Sequence, residues 1–208
     1  MTALGYDEIK ARLQHDDPDY RLVVSPLLDP GVQLAKHQAA IDVRLGRSFS
    51  VVRPWSQGVA DRVDALAAEP PLEQLVIDFG TPLIVHPHQF VLARTLEFVR
   101  LPKDLLAYVI GRSSWGRRGL IVATATVVHP TFAGPITLEL KNVGEVPLAL
   151  YPMDRVAQIA LHLVKGVPED VRPRSQFACT FTPELGRARD PATAEAIKKV
   201  GPPQSSQT

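Results

Sequence analysis

From Leu75 to Val164 the chain is a succession of short apolar runs, rich in β-branched residues and separated by turns. The runs follow one another at roughly the 8–12-residue spacing that is typical of an all-β barrel or sandwich. Nineteen prolines in 208 residues support this interpretation, because proline interrupts long helices and favours short elements joined by turns. The pattern therefore predicts a mainly β fold.

Two segments before Leu75 have a clear periodicity of their own. Residues 6–13 place Tyr6, Ile9 and Leu13 on one helical face, with acids early and bases late, and so predict a short amphipathic helix. Residues 39–52 alternate apolar and charged side chains, as a strand does.

The end of the chain differs from the rest. Residues 183–208 are rich in proline, alanine, serine and charge, which is typical of a mobile terminus. We therefore expect one domain over residues 1–182 and a flexible tail over 183–208.

The charge and cysteine content exclude several classes of protein. Basic and acidic residues number 23 and 22, so a broadly basic surface for nucleic acid is excluded, and any phosphate-binding charge must be local. Cys179 is the only cysteine, which rules out an internal disulfide and a cysteine-based zinc cluster. The N-terminus lacks the apolar region of a signal peptide, and no run approaches a membrane span. We expect a soluble, cytoplasmic protein.

The densest polar cluster is the segment GRSSWGRRG at residues 111–119, which lies between two apolar runs. Glycines let backbone N–H groups approach an anion, and arginine side chains match phosphate oxygens. The segment fits a phosphate-binding loop, or a solvated turn whose arginines pair with surface acids.

A second feature is Glu139, which stands in the middle of the apolar run ITLELK. Strand alternation places Ile136, Leu138 and Leu140 on one face and Glu139 on the other. Such a glutamate is either a solvated surface residue or a carboxylate beside a cleft that exchanges protons during catalysis.

The histidines do not indicate a metal site. Pro87 separates His86 from His88, and no third ligand follows at a supporting spacing, so these histidines suit a loop or an edge strand. The chain has no H-x-E or C-x-x-C motif, which excludes a zinc-dependent deaminase of that type.

Taken together, these segments resemble the dCTP deaminase branch of the dUTPase-like superfamily. The anchors of this resemblance follow one another in order: AIDVRLG (40–46), LEFVRLP (96–102), GRSSWGRRGL (111–120), T-A with V-x-P (124–130), ITLELKN (136–142) and the run that ends at Gln158. The resemblance implies a distorted β-barrel of the dUTPase-like, or β-clip, type that assembles as a homotrimer with active sites at subunit interfaces. It also implies that Mg²⁺ accompanies the nucleotide phosphates and that no zinc takes part.

The resemblance also implies a set of site residues. Glu139 would be the proton shuttle, and Ser113 and Arg117 would position the water and the carboxylate. Substrate contacts would come from a larger set, namely Arg112, Ser113, Ser114, Trp115, Gly116, Arg117, Ala125, His129, Thr137, Leu138 and Gln158.

The implied activity is hydrolytic deamination of a cytosine deoxynucleotide, most simply dCTP to dUTP and ammonia. His129 stands where the family has an aspartate that serves as base in dUTPases, so we expect the product to keep its triphosphate. Two alternatives remain open at this stage: a dUTPase-type diphosphohydrolase, and a nucleotide-binding regulator without turnover.

Overall fold

A computed structural model describes residues 2–53, 72–124, 127–166 and 183. The chain divides into two compact units, one of residues 1–51 with 74–183 and the other of residues 52–73 with 184–208. Nearly all described residues belong to the first unit. The expected boundary at residue 182 lies outside the described residues and stays a prediction.

The described part is mainly β, as the sequence predicts. In chain order its elements are α1 (Tyr6–Leu13), β1 (Val23–Ser25), α2 (Pro30–Gln33), β2 (Ile41–Val52), β3 (Leu72–Val76), β4 (Leu83–Val85), β5 (Phe90–Arg100), β6 (Leu105–Gly111), α3 (Ser113–Gly116), β7 (Leu120–Val122), β8 (Val127–Val128), β9 (Ala133–Asn142), β10 (Leu148–Leu150) and β11 (Arg155–Leu163). None of these helices has the length and apolar character that a membrane crossing requires.

Nine strands form one antiparallel sheet, which curls as a half-barrel. Its order is β7-β9-β5-β2-β11-β6-β8, with β1 added to β5 and β3 added to β2, while β10 and β4 form a separate pair. The register of β2 on β5 shifts between Leu45 and Phe49, where β2 carries extra residues. Such bulges bend a strand and help a sheet to curl.

Both segments with their own periodicity form as expected. Helix α1 has acids in its first turn and bases in its last turn, and Glu8 Oε2 accepts a hydrogen bond from the Gly5 N–H at 2.8 Å. Ile9 of this helix is fully buried. The strand expected over residues 39–52 is β2, and its side chains, including Phe49, contribute to a core that draws on most strands of the described part.

Candidate active site

The segment 111–119 folds as a tight helical turn rather than as an open loop. Arg112 has extended backbone angles, and its N–H donates to the Val156 carbonyl at 3.0 Å, which fixes the segment to β11. Helix α3 follows at once. Gly119 then adopts a φ of +93°, and a Cβ atom there would lie 2.8 Å from the Gly144 nitrogen. Only glycine fits this turn, which directs the chain into β7.

The guanidinium of Arg112 binds a fully buried acid. Asp42 Oδ2 accepts hydrogen bonds from Nη1 of Arg112 and, at 3.1 Å, from Nη1 of Arg155. Asp42 Oδ1 accepts one from Gln158 Nε2 at 3.0 Å. Arg112 therefore pairs with a buried acid, and not with a surface acid as in the alternative of a solvated turn.

A second buried acid lies next to Asp42. Gln33 Nε2 donates both to the Asp42 carbonyl at 3.1 Å and to Glu97 Oε1 at 2.9 Å. Glu97 Oε2 accepts from the Arg44 N–H at 2.8 Å, and the Arg44 guanidinium lies 3.5 Å from Oε1. Burial raises the pKa of Glu97, although the backbone hydrogen bond from Arg44 and the charge of its guanidinium oppose this shift. The two acids belong to one buried polar network that ends at Arg112 beside α3.

Asp42 and Glu97 lie in two of the segments that carry the resemblance, but neither residue was predicted to have a role in the site. The sequence does contain a feature that marks these two residues, because each is a charged residue within a run of apolar strand residues. It is the same signal that singled out Glu139. Buried charges of this kind are paired or functional.

The other side chains of α3 are more accessible. Ser113, Ser114 and Gly116 are exposed, as is Arg117, which follows the helix. Trp115 is half-buried, and its indole Nε1–H donates to the Arg155 carbonyl at 3.1 Å. This turn therefore presents two hydroxyl groups and a guanidinium to solvent on a backbone that is fixed at both ends.

Glu139 lies in the middle of β9, where its neighbours Leu138 and Leu140 are fully buried, as the alternation predicts. Its backbone is fixed by Thr124, whose Oγ1 accepts from the Glu139 N–H at 2.7 Å. Leu92, which lies opposite Glu139 on β5, is also buried. Burial raises the pKa of the Glu139 carboxyl. Within the described residues this carboxylate has no ion pair and accepts no hydrogen bond.

Strand β7 connects the segment 111–119 to Glu139. Strand β7 pairs with β9, and the Ala123 N–H donates to the Glu139 carbonyl at 2.7 Å. The start of the segment 111–119 also lies against β7, because a Cβ atom on Gly111 would lie 3.3 Å from Val122 Cγ2. In the described part of the chain, neither Ser113 nor Arg117 forms a hydrogen bond or ion pair with Glu139. In the described residues of one chain, the three predicted catalytic side chains are therefore not joined by any direct bond.

The remaining predicted site residues have different positions. Thr137 shares the strand face of Glu139, whereas the Leu138 side chain lies in the core and leaves only its backbone for a ligand. His129 is exposed. Gln158 lies opposite Asp42 in the pairing of β11 with β2. Ala125 lies outside the described residues.

His86 and His88 occupy the connection between β4 and β5, which agrees with the loop expected for them. His88 has a φ of +63°, and its N–H donates to the Asn142 carbonyl at 2.7 Å. Over residues 2–53, 72–124 and 127–166, no group of three or more histidine, cysteine, aspartate or glutamate side chains is arranged to hold a metal ion.

Comparison with models of known protein families identifies the family of this chain. The family model described as dCTP deaminase-like covers residues 4–164, from before α1 to the end of β11. The chain belongs to the dCTP deaminase-like family.

Relatives of this dCTP deaminase-like chain include three proteins named "dCTP deaminase, dUMP-forming". The protein from Dictyoglomus thermophilum is 42% identical over 150 residues, which are 72% of this chain and 76% of that one. The protein from Methanothermobacter thermautotrophicus is 39% identical over 81% of this chain and 87% of its own. The one from Methanobrevibacter smithii is 39% identical over 91% and 96%.

A solved structure supports the fold of the dCTP deaminase-like chain. The crystal structure of 2'-deoxycytidine 5'-triphosphate deaminase from Agrobacterium tumefaciens superposes with a TM-score of 0.57 at 20% sequence identity. The match covers 78% of this chain and 48% of that one, so this chain spans about half the length of the solved protein.

Proposed function

We propose that the protein is a hydrolase that deaminates a cytosine deoxynucleotide, most simply dCTP. The observation that supports this best is Glu139, a half-buried carboxyl with a raised pKa and no cationic partner in the described part of the chain. A raised pKa brings a carboxylate closer to the working pH, where it accepts and returns protons more readily. The names of the three relatives support the same reaction.

In this proposal Glu139 takes a proton from the water that attacks C4 of the cytosine ring. It delivers this proton to N3 and then moves the proton of the new C4 hydroxyl to the amino group, so the C4–N bond breaks, ammonia leaves and C4 keeps a carbonyl oxygen. Ser113 and Arg117 orient the attacking water, which lowers the barrier because the reacting groups are already aligned. Thr137 and the backbones of Ala125 and Leu138 contact the nucleoside.

The phosphates bind at α3. The exposed residues Ser113, Ser114 and Gly116 offer hydroxyl and backbone donors, and Arg112 is held beside them by Asp42. Preoriented donors of this kind stabilise charge on an oxyanion. Trp115, His129 and Gln158 complete the expected contacts, with Gln158 acting through its hydrogen bond to Asp42.

Mg²⁺ enters this scheme only as the counterion of the nucleotide phosphates. The buried carboxylate of Asp42 does not fit a resident Mg²⁺, because both of its oxygens already accept hydrogen bonds from cationic or amide groups. Magnesium prefers carboxylate and water oxygens that are free to coordinate it.

The proposal includes a homotrimer in the cytoplasm, where deoxynucleotides are used. Its structural support is that, in the described part of the chain, neither Ser113 nor Arg117 forms a hydrogen bond or ion pair with Glu139, whose pKa is shifted by burial alone. A second copy can supply α3 to the Glu139 of the first. Light scattering should give about three times the 22.8 kDa chain mass. A fully active monomer would contradict the shared site.

The fate of the triphosphate is a separate question. His129 occupies the position where the resemblance gives dUTPases their aspartate base, so the carboxylate that would activate a water at the phosphates is missing there. This argument predicts dUTP as the product. The relatives' names, which specify dUMP, favour cleavage of the triphosphate as well. Phosphorus NMR of a completed reaction distinguishes the two, because only the second releases pyrophosphate.

The test of the proposal is an incubation of the purified protein with dCTP or dUTP and Mg²⁺, with products separated by chromatography. We expect ammonia and a uracil nucleotide from dCTP. Glu139→Gln should slow the reaction by about 10²–10⁴-fold, whereas Glu145→Gln, at an exposed glutamate, should not. Consumption of dUTP alone would indicate a dUTPase, and binding without turnover would indicate a regulator. Either result would overturn the proposal.

A further inference from the structure

Four arginines surround α3, and the structure divides them into two pairs. Arg112 and Arg155 share the buried carboxylate of Asp42. Arg117 and Arg118 are exposed and have no acidic partner among the described residues. The segment therefore presents two exposed guanidinium groups, and one of them, that of Arg118, has no role in the proposed reaction.

Arg118 is held over an aromatic ring. Its guanidinium carbon lies 5.8 Å from the centroid of the Trp115 ring, a distance at which a cation is attracted to the ring face. The ring itself is fixed, because its Nε1–H donates to the Arg155 carbonyl at 3.1 Å and its body packs against the core. The Trp115 ring under Arg118 is therefore held in one position.

The backbone on both sides of Arg118 is equally constrained. The Arg118 N–H donates to the Trp115 carbonyl at 2.9 Å, and the next N–H, that of Gly119, donates to Gly116 at 3.0 Å. The Gly119 carbonyl accepts from the Val143 N–H at 2.8 Å. An exposed cation on a fixed backbone and a fixed ring loses little conformational freedom when it binds an anion.

We propose that Arg118 is a specificity-determining residue that binds the terminal phosphate of a nucleoside triphosphate. The inference rests on the proposed function, because it takes α3 as the phosphate site. A terminal phosphoryl group carries a charge of about −1.5 to −2 at pH 7, and the planar guanidinium matches two of its oxygens at once. Arg118 therefore favours triphosphates over diphosphates of the same nucleoside.

The test compares Arg118→Gln with wild type on dCTP and dCDP in the presence of Mg²⁺. Loss of one charge-assisted contact should raise KM and Kd for dCTP by about 10–100-fold, with kcat within about twofold and the values for dCDP unchanged. Arg118→Lys keeps the charge without the planar geometry and should recover part of the loss. Arg47→Gln is the matched control, because Arg47 is also stacked on an aromatic ring, that of Phe79, at 5.3 Å.

Calorimetric Kd values are measured beside the kinetics, so the two proposals fail in different ways. If wild type binds dCTP without deaminating it, the proposed function is wrong and the Arg118 comparison still stands on Kd. If wild type deaminates dCTP and Arg118→Gln binds it equally well, only the role of Arg118 is wrong. An equal loss for dCTP and dCDP would also reject the terminal phosphate as its ligand. If neither nucleotide binds to wild type, both proposals are wrong.

Discussion

Replacing Asp42 by asparagine removes a buried charge and leaves the shape of the side chain nearly unchanged. In the wild type this carboxylate accepts three hydrogen bonds, two of them from the guanidinium groups of Arg112 and Arg155. In Asp42→Asn the amide oxygen can still accept from the arginines, and the Gln158 amide can rotate to accept from the new NH₂ group. The substitution therefore turns two ion-pair hydrogen bonds into bonds between a guanidinium and a neutral amide, and it turns the bond with Gln158 into a neutral one.

The magnitude follows from this count. A hydrogen bond to a charged group contributes about 1.5–3 kcal/mol and a neutral one about 0.5–1.5 kcal/mol, so the bond with Gln158 loses about 1–1.5 kcal/mol. The two arginines keep their hydrogen bonds but lose the attraction of the carboxylate charge. The side chains of Arg112 and Arg155 remain 24% and 34% exposed, so water replaces part of the loss. Asparagine also avoids the cost of burying a carboxylate. We expect the free energy of unfolding to fall by about 1–2 kcal/mol, and Tm by about 2–8 °C.

The assay is thermal or urea unfolding at one protein concentration, because self-association would make Tm depend on concentration. Asp78→Asn is the matched control, since Asp78 also pairs with an arginine, Arg47, but its side chain is 82% exposed. Exposed pairs contribute about 0–1 kcal/mol. If Asp42→Asn destabilises no more than Asp78→Asn, the buried network does not stabilise the fold as argued. Because Arg112 is held less strongly by a neutral amide than by a carboxylate, KM for dCTP should rise in Asp42→Asn and not in the control.

Three further predictions concern ionisation, the backbone and metals. Burial raises the pKa of Glu139 above the ordinary value of 4.5, so ionisation of this carboxyl lowers the stability of the fold above that pH. Glu139→Gln should therefore unfold at an equal or higher temperature than wild type at pH 7, and the difference should vanish below pH 4.5. A wild type that is more stable than the variant at pH 7 would contradict this prediction. Gly119→Ala should lower the free energy of unfolding by more than about 1 kcal/mol, because alanine is strained at positive φ and its Cβ would clash with Gly144. Gly80→Ala is the control for backbone strain alone, because Gly80 has a φ of +86° but a Cβ atom there has open space. Treatment with a zinc chelator followed by excess Mg²⁺ should leave deamination unchanged, and a loss that only zinc restores would refute the mechanism.

Local features of the sequence were sufficient for most of the secondary structure. The periodicity of residues 6–13 and the alternation around Glu139 depend on neighbours a few residues away, so both could be predicted. The short helix α3 was not predicted, because the glycines and serines of this segment suit a loop equally well. Its helical turn is fixed from outside the segment, by the hydrogen bond from Arg112 to Val156 and by the close approach of Gly119 to Gly144.

Three acids stand within apolar runs of this chain and look alike in sequence: Asp42, Glu97 and Glu139. The sequence by itself determined that each is a charge in a strand with apolar neighbours, and the resemblance to a family selected Glu139 as functional. Only the tertiary structure decides which charges are compensated. Asp42 meets Arg112 from 70 residues further along the chain, and Glu97 accepts from Gln33, which is 64 residues away. Glu139 meets the apolar Leu92 instead and has no such partner in the described residues. The physical reason is that compensation of a buried charge depends on distance in space, and the strand order β9-β5-β2-β11 sets those distances.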